Sequence, residues 1–363
     1  MNNSDIDLIK IPIDLDQKII SFPFSELAED ITAIELELTE ESVINPEDVR
    51  RVLLYNIYVI IISFDQLFLF GIDGKFIRTI GSKGQGPGEY NRISNVALDK
   101  KKNILYVNDR TKIVGYDLNE QGKKYLKEYT LINDNGFSVN NMNYINDELL
   151  IIGEKQKQNE NGYYKHLAIY RLNEELQLID SCNIRDDYFK EFIFVNQSFD
   201  IYLYNVDTIT YLYYPEFFSK DINPAKKVLH DTLYRFENNQ LIPEINIDIK
   251  NRKKWIADEN FRLCHIYRSS RFVFVVYSHL KSAVYCYDMK TGTTYNALTF
   301  ESSKGSYSYI NGKMIENTDG GDQMKAIRPI VNNPELLYYL YTHTNPADLE
   351  EPNPTLYVVK LKK

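Results

Sequence analysis

No stretch of this 363-residue chain stays apolar for the ~20 residues that a membrane-crossing helix needs. The longest apolar run, Val52–Phe64, is broken by Asn56 and rich in β-branched residues, so it is expected to form two buried strands. No hydrophobic export segment follows Met1. An excess of basic charge is also missing. The 42 Lys and Arg against 51 Asp and Glu leave a net charge of -9, scattered along the chain. That excludes the basic stripe of non-specific nucleic-acid binding and any polybasic anchor. Cysteine is scarce: Cys182, Cys264 and Cys286 form no C-x-x-C pair and sit in strand-like runs as small hydrophobes. Cys264 and Cys286 fall on strands separated by a third, about two strand spacings of ~4.8 Å apart, beyond disulfide reach. Three such cysteines decide nothing about redox compartment. No G-x-S-x-G elbow occurs, and His166, His230, His265, His279 and His343 never pair at i+2 or i+4 as zinc ligands usually do. Helix-period segments are confined to Pro23–Asp30 and to Arg252–Asn260, which holds the lone Trp255.

What the chain has is tyrosine, short strands and turn residues. Its 29 Tyr lie mostly inside apolar runs such as 336–341, which suits half-buried strands with an apolar ring and a hydrogen-bonding hydroxyl. The most telling segment is Gly81-Ser82-Lys83-Gly84-Gln85-Gly86-Pro87-Gly88-Glu89-Tyr90. A hairpin precedes it, Gln66–Ile72 and Lys75–Ile80, turned by Asp73-Gly74, and a new strand follows at Ile93–Leu98. Strand, tight turn, strand and glycine-rich crossover describe the joint between two propeller blades. The hairpin recurs at 113–122, 167–175, 232–239 and 283–292, at intervals of roughly 45–70 residues, and is cut short at Thr355–Leu361. Two further strand-like runs precede each copy, which makes six units. The sixth lacks its outer strand, while Ile31–Leu38 alternates strictly and has no partner upstream. Laid beside Thr355–Leu361, it would close the ring and leave no exposed edge.

The fold class expected is all-β: one six-bladed β-propeller of four-stranded antiparallel blades over 31–363, closed by an N-terminal strand, behind a polar tether and short helical turn at 1–30. The chain resembles six-bladed propellers, distantly similar to NHL-repeat propellers, that are common among exported and lipid-anchored proteins of gut anaerobes. The residues that carry the resemblance are Phe76–Gly81 running into Gly84–Tyr90, Asp231–Arg235 followed by Leu241-Ile242-Pro243, and the strand around Ile34–Glu37. It covers nearly the whole chain and implies an extracytoplasmic location; most such proteins have no established activity. The chain departs from the group at Tyr211–His230, an enlarged loop of the fourth blade.

Two function classes follow. The first is a non-enzymatic binding or scaffold protein with a glycan or protein partner, no cofactor and a monomeric ring. The second is a hydrolase or lyase with an axial metal, as in lactonase and lyase propellers, whose motifs have no residue-by-residue match here. The glycine-rich segment is not a phosphate loop, since Pro87 and a strand follow it instead of a helix. Outer-to-inner crossovers and the loops between second and third strands share one face, and long recognition loops on a rigid scaffold point to that face. The candidate ligand-binding residues are Glu89, Tyr90 and Arg92 at the entry to an inner strand, Asp231 and Arg235 flanking another, and Trp255 on a crossover. Glu89 and Asp231 have an alternative role as acceptors that pin loop N–H groups. Trp255, Phe217 and Phe218 could equally form a satellite core under the loop.

Overall fold

A computed structural model describes residues 8–18, 22–119, 125–130, 137–160, 162–189, 202–214, 230–258, 261–279, 281–298, 310–313, 324–342 and 352–363. The first elements are β1 (Ile9–Ile13), β2 (Phe22–Pro23), α1 (Phe24–Leu27) and β3 (Ala28–Glu35). Blade 1 is β4 (Arg51–Tyr55), β5 (Tyr58–Ile62), β6 (Leu67–Gly71) and β7 (Phe76–Thr79). Blade 2 is β8 (Asn95–Asp99), β9 (Ile104–Asn108), β10 (Lys112–Asp117) and β11 (Tyr125–Thr130). Blade 3 is β12 (Phe137–Ile145), β13 (Glu148–Asn159), β14 (Gly162–Leu172) and β15 (Leu178–Phe189). Blade 4 is β16 (Leu203–Val206), β17 (Ile209–Leu212), β18 (Thr232–Glu237) and β19 (Gln240–Ile249), followed by α2 (Arg252–Ala257). Blade 5 is β20 (Arg262–Arg268), β21 (Phe272–His279), β22 (Lys281–Asp288) and β23 (Thr294–Leu298). After β24 (Ile310–Lys313), blade 6 is β25 (Met324–Ile330), β26 (Asn333–Tyr341) and β27 (Thr355–Leu361), with β3 as its outer strand.

These are six four-stranded antiparallel blades in a propeller ring. Closure is antiparallel, with Leu356 opposite Ile34 and Val358 opposite Thr32. The closing strand starts earlier than the expected Ile31–Leu38, because its register continues to Ala28 opposite Leu361.

A strand between two neighbouring blades is apolar on both faces, which is why its sequence runs apolar without a break. In β5, Ile60 and Ile62 pack with β8 and β9 of blade 2, whereas Val59 and Ile61 pack with β26 and β27 of blade 6. Val52–Phe64 is therefore two strands, β4 and β5, whose side chains alternate between two neighbours. Tyrosine fills much of this space: Tyr90, Tyr106, Tyr116, Tyr204, Tyr211 and Tyr338 are among the largest fully buried side chains. Cys264 and Cys286 lie on β20 and β22 with β21 between them, and both are free thiols.

Side chains also stitch each blade to the next near the axis. The Arg328 guanidinium donates to Val49 O at 2.8 Å and Arg50 O at 3.0 Å, joining blade 6 to blade 1. Arg51 donates to Ser94 O at 3.2 Å, and Asn95 Nδ2 to Val139 O at 3.3 Å. Asn143 Nδ2 donates to Leu203 O at 2.9 Å, and the Arg268 N–H to Tyr204 Oη at 2.8 Å. Ser270 Oγ donates to Glu335 at 3.0 Å and completes the circuit.

The expectation of a tether over 1–30 is corrected by β1. Ile9–Ile13 pairs in parallel with Ile245–Ile249 as a fifth strand of blade 4 and buries Ile11 and Ile13. Beyond it the chain passes blade 5, where Gln17 O accepts from Asn296 Nδ2 at 3.1 Å and Gln17 Oε1 from Thr294 Oγ1 at 3.1 Å. The helical turn expected at Pro23–Asp30 shrinks to the four residues of α1, because β3 begins at Ala28.

Closure yields a stability prediction. Ile34 is 4% exposed, so Ile34→Ala should lower the unfolding free energy by about 2–4 kcal/mol. Thr32→Ala at an exposed position of the same strand should stay within about 0.5 kcal/mol. Urea denaturation followed by circular dichroism measures both; equal losses would show that β3 does not seal the core.

Candidate functional site

The two faces of the ring are built differently. Crossovers and second-to-third-strand loops occupy one; the opposite face carries short turns at 56–57, 100–103, 146–147 and 207–208, and again at 72–75, 173–177 and 238–239. Asparagine and aspartate make these turns tight. Asn56, Asn146, Asp147, Asp207, Asn238 and Asn239 have φ between 50° and 67°, a left-handed conformation that Asn and Asp tolerate better than bulkier residues. Carboxylates then fasten them: Asp99 Oδ1 accepts from the N–H groups of Lys101 and Lys102 at 2.9 and 3.0 Å, and Asp288 Oδ1 from that of Lys290 at 2.9 Å.

On this face lie two adjoining cavities. The first, about 500 Å³, opens between blades 3 and 4 and is lined by Glu148, Arg171, Thr208, Arg235, Phe236, Glu237 and the turn asparagines Asn146, Asn238 and Asn239. The second, about 430 Å³, is lined by Asp99, Lys101, Asn143, Tyr144, Asp147, Tyr204, Asn205 and Asn332. Those residues end the innermost strands of blades 2, 3 and 4 or follow that of blade 6, which puts the second cavity at the mouth of the central channel. Ile145 and Asn146 line both.

The charged groups in these walls are held by one another. Arg171 makes a two-pronged contact with Glu148 at 2.8 and 2.7 Å, Arg235 lies 3.2 Å from Glu237, and Lys101 lies 2.5 Å from Asp147. Tyr144 stacks on Tyr106 with ring centroids 5.9 Å apart, and its hydroxyl donates to Asp147 O at 3.1 Å. Burial first, then the nearby Asp99 carboxylate, pushes the Tyr144 phenol up; burial pushes that of Tyr106 up to about 12. Behind the wall, Tyr211 Oη donates to Glu244 at 2.6 Å and accepts from Arg268 at 3.2 Å.

The residues singled out from the sequence are not brought to one place. Glu89 and Tyr90 lie on the crossover from blade 1 to blade 2. Glu89 Oε2 accepts from the Gly86 N–H at 2.8 Å, and a Cβ on Gly84 would stand 2.0 Å from that oxygen, so the glycines wrap a carboxylate of their own loop. Tyr90 is 2% exposed, meets Tyr116 edge-to-face at 6.4 Å and donates to Ile80 O at 3.0 Å. Arg92 is exposed on the same crossover, which runs into β8 and not into a helix. Asp231 is 8% exposed; it accepts from Asn246 Nδ2 at 3.0 Å and pairs with Arg252 of α2. That bond ties the start of β18 to the crossover carrying Trp255, which is 5% exposed and packs against Phe261 at 5.2 Å and His279 at 5.2 Å. Arg235, expected with Asp231 at the flank of a strand, does not share this end of β18. Four residues on, it lies toward the tight-turn face and lines the first cavity. Phe217 and Phe218, with 215–229 and 343–351, lie outside the described residues.

The surroundings of Arg235 were missed from the sequence. Glu148 and Arg171 come from strand ends of blade 3 and Asn238 and Asn239 from a turn of blade 4, and the signal that pointed to them was the pair of two-residue turns Asn146-Asp147 and Asn238-Asn239. Among the described residues, no three His, Cys, Asp or Glu side chains group as they would around a metal ion. His166 instead contacts Asp186 at 2.7 Å, and His279 contacts Asp258 at 2.8 Å. No helix of the described residues is long and apolar enough to cross a membrane.

Two measurements follow. Asp231 is buried and holds three partners, so Asp231→Ala should cost about 1–3 kcal/mol in urea denaturation; an unchanged midpoint would leave it free for ligand work. Asp288, whose side chain is 4% exposed, is held by hydrogen bonds from Arg271 that draw its carboxyl from 3.8 down to about 2. Its folded pKa is depressed, so its stabilisation is complete above pH ~4 and disappears as pH falls toward about 2. Melting temperatures between pH 5 and 2 should therefore fall more steeply for the native protein than for Asp288→Asn.

The fold has a counterpart among solved structures. A solved structure from Bacteroides fragilis NCTC 9343, described as a "putative exported protein", is 17% identical; 98% of this chain and 100% of that one are covered, with a TM-score of 0.63. The WD40 domain of Neurospora crassa Pan2 is 8% identical, with 87% and 76% covered and a TM-score of 0.42. No curated protein matches the sequence. Residues 8–361 match the family model described as a domain of unknown function, DUF4934, and the chain belongs to that family.

Proposed function

We propose that this chain is an extracytoplasmic binding propeller that recognises a glycan or protein partner through its tight-turn face. The observation that carries the reading is the pair of adjoining cavities, about 500 and 430 Å³, framed by left-handed turns of adjacent blades. Cavities of this size with convergent polar groups are the usual form of a ligand site. Binding is favoured over catalysis because the lining carboxylates Glu148, Glu237 and Asp147 are each engaged by a cation of the same wall and Asp99 is held by the N–H groups of its own turn, whereas an acid–base catalyst needs a group poised to exchange protons. Location outside the cytoplasm is supported by the exported description of the Bacteroides fragilis structure that shares the fold.

Filling the first cavity tests the reading. A library of oligosaccharides and peptides screened by thermal shift should contain ligands that raise the melting temperature of the native protein and not that of Thr208→Trp, an exposed turn residue on the cavity wall. Protease added to spheroplasts, or to their released periplasmic fraction, should degrade the protein. Ligands indifferent to Thr208→Trp would move the site elsewhere, and recovery of the intact protein inside protease-treated spheroplasts would place it in the cytoplasm.

A further inference from the structure

We infer that the trough on the tight-turn face takes a neutral, hydroxyl-rich ligand, a glycan without carboxylate or sulfate groups; this deepens the binding reading and rests on it. Each cavity has an asparagine whose amide nitrogen is already used and whose carbonyl oxygen accepts nothing. Asn239 Nδ2 donates to Asp180 at 2.7 Å and to Ser181 O at 3.3 Å, which fixes the amide orientation and leaves Oδ1 buried without a donor. Asn332 Nδ2 donates to Leu54 O at 2.9 Å, and its Oδ1 is likewise without a donor. Beside Asn239, Arg235 Nε lies 3.2 Å from Glu237 and 3.8 Å from Glu244 but makes no hydrogen bond.

Buried polar atoms without partners are uncommon in folded proteins, and these three, together with Asp99 Oδ2, belong to residues that line the two cavities. Their complement has to donate to two carbonyl oxygens and one carboxylate oxygen and accept from one N–H, and hydroxyl groups do both. Carboxylate, sulfate and phosphate groups only accept, so they would leave both asparagine oxygens unsatisfied. Charge points the same way, because three of the four wall cations, Arg171, Arg235 and Lys101, are already compensated by Glu148, Glu237 and Asp147, and beside the fourth, Lys100, the wall carries a further carboxylate, Asp99. Half-buried Phe236 in one cavity and Tyr144 in the other supply aromatic surface for the C–H face of a sugar ring. A folded protein partner is disfavoured by shape, since its docking needs roughly 800 Å² of matched surface on each side rather than a trough.

Isothermal titration against neutral hexasaccharides from mannan, xylan and β-glucan, oligogalacturonate as the acidic counterpart, and a mixed peptide pool decides the matter. At least one neutral saccharide is expected to bind. Asn239→Ala and Asn332→Ala should each weaken it about tenfold, the loss of one good hydrogen bond. Arg235→Lys should weaken it similarly, because an ammonium does not restore the Nε–H geometry. Lys290→Ala, exposed on a blade 5 turn of the same face, should change nothing. Melting curves confirm that each variant is folded. Preference for oligogalacturonate or a peptide, lost in the same variants, would overturn the ligand class and leave the binding face standing. Saccharide binding untouched by the asparagine variants would overturn the site, and no binding to any neutral saccharide would overturn the inference outright.

Discussion

A single blade cannot cover its own faces, and a row of six leaves two faces bare; the pairing of β3 with β27 removes both. β27 is the shared wall. Leu356 and Val358 turn to the core between blades 6 and 1, while Tyr357, Val359 and Leu361 turn to the core that runs through blades 4, 5 and 6. β3 follows the same alternation, with Ile34 on one side and Ile31 on the other. The cores on both sides of blade 6 therefore depend on a strand pair whose members lie more than 300 residues apart in sequence. Such a contact closes a very long loop before it contributes anything, so formation of the blades in chain order, with closure last, is the order that loop entropy favours.

Closure also explains the side-chain circuit around the axis. The innermost strands of neighbouring blades do not pair as a ladder, and their inward edges keep peptide groups that need partners. Arginine and asparagine side chains supply the donors: Arg328, Arg51, Asn95 and Asn143 each reach a carbonyl of the next blade. Buried hydrogen bonds of this kind fix the angle between blades, which apolar packing alone would allow to slide. The N-terminal segment does comparable work outside the ring, where β1 lies on blade 4, Gln17 bonds to blade 5 and β3 completes blade 6.

Most of the fold was legible because the blade hairpins are local. Asp73-Gly74, the repeated Asn-containing turns and runs that are apolar on both faces identify strands without reference to distant partners. What was not legible depended on distance or polarity. Ile9-Lys10-Ile11-Pro12-Ile13 alternates, but Pro12 and Lys10 make it resemble a tether, and its partner β19 lies more than 230 residues away. Proline is tolerated there because β1 is an edge strand, whose outer side owes no ladder bond. The extensions of β13 and β14 through Lys155–Gln158 and Tyr163–His166 carry polar residues on both faces, so they lack the alternation that marks a strand. At the candidate site, Arg235 was visible as a charged residue in an apolar strand, yet its direction was not, because a strand of six residues spans the whole height of the blade.

The tight-turn face was expected to offer little, and the reason it offers more lies in the turns themselves. A two-residue turn in the left-handed region selects asparagine and aspartate for the backbone conformation they tolerate. The same choice places an amide or carboxylate at the rim of the ring at every such turn. Where two blades meet, as at Asn146 and Asn238–Asn239, turn side chains from both converge on one cavity without any long loop to order. Residues held this way keep their geometry in the absence of a ligand, so little conformational entropy is lost when one arrives. The residues that make the hairpins fold thus also line the cavities, and selection for the turn and for the surface acts on the same positions.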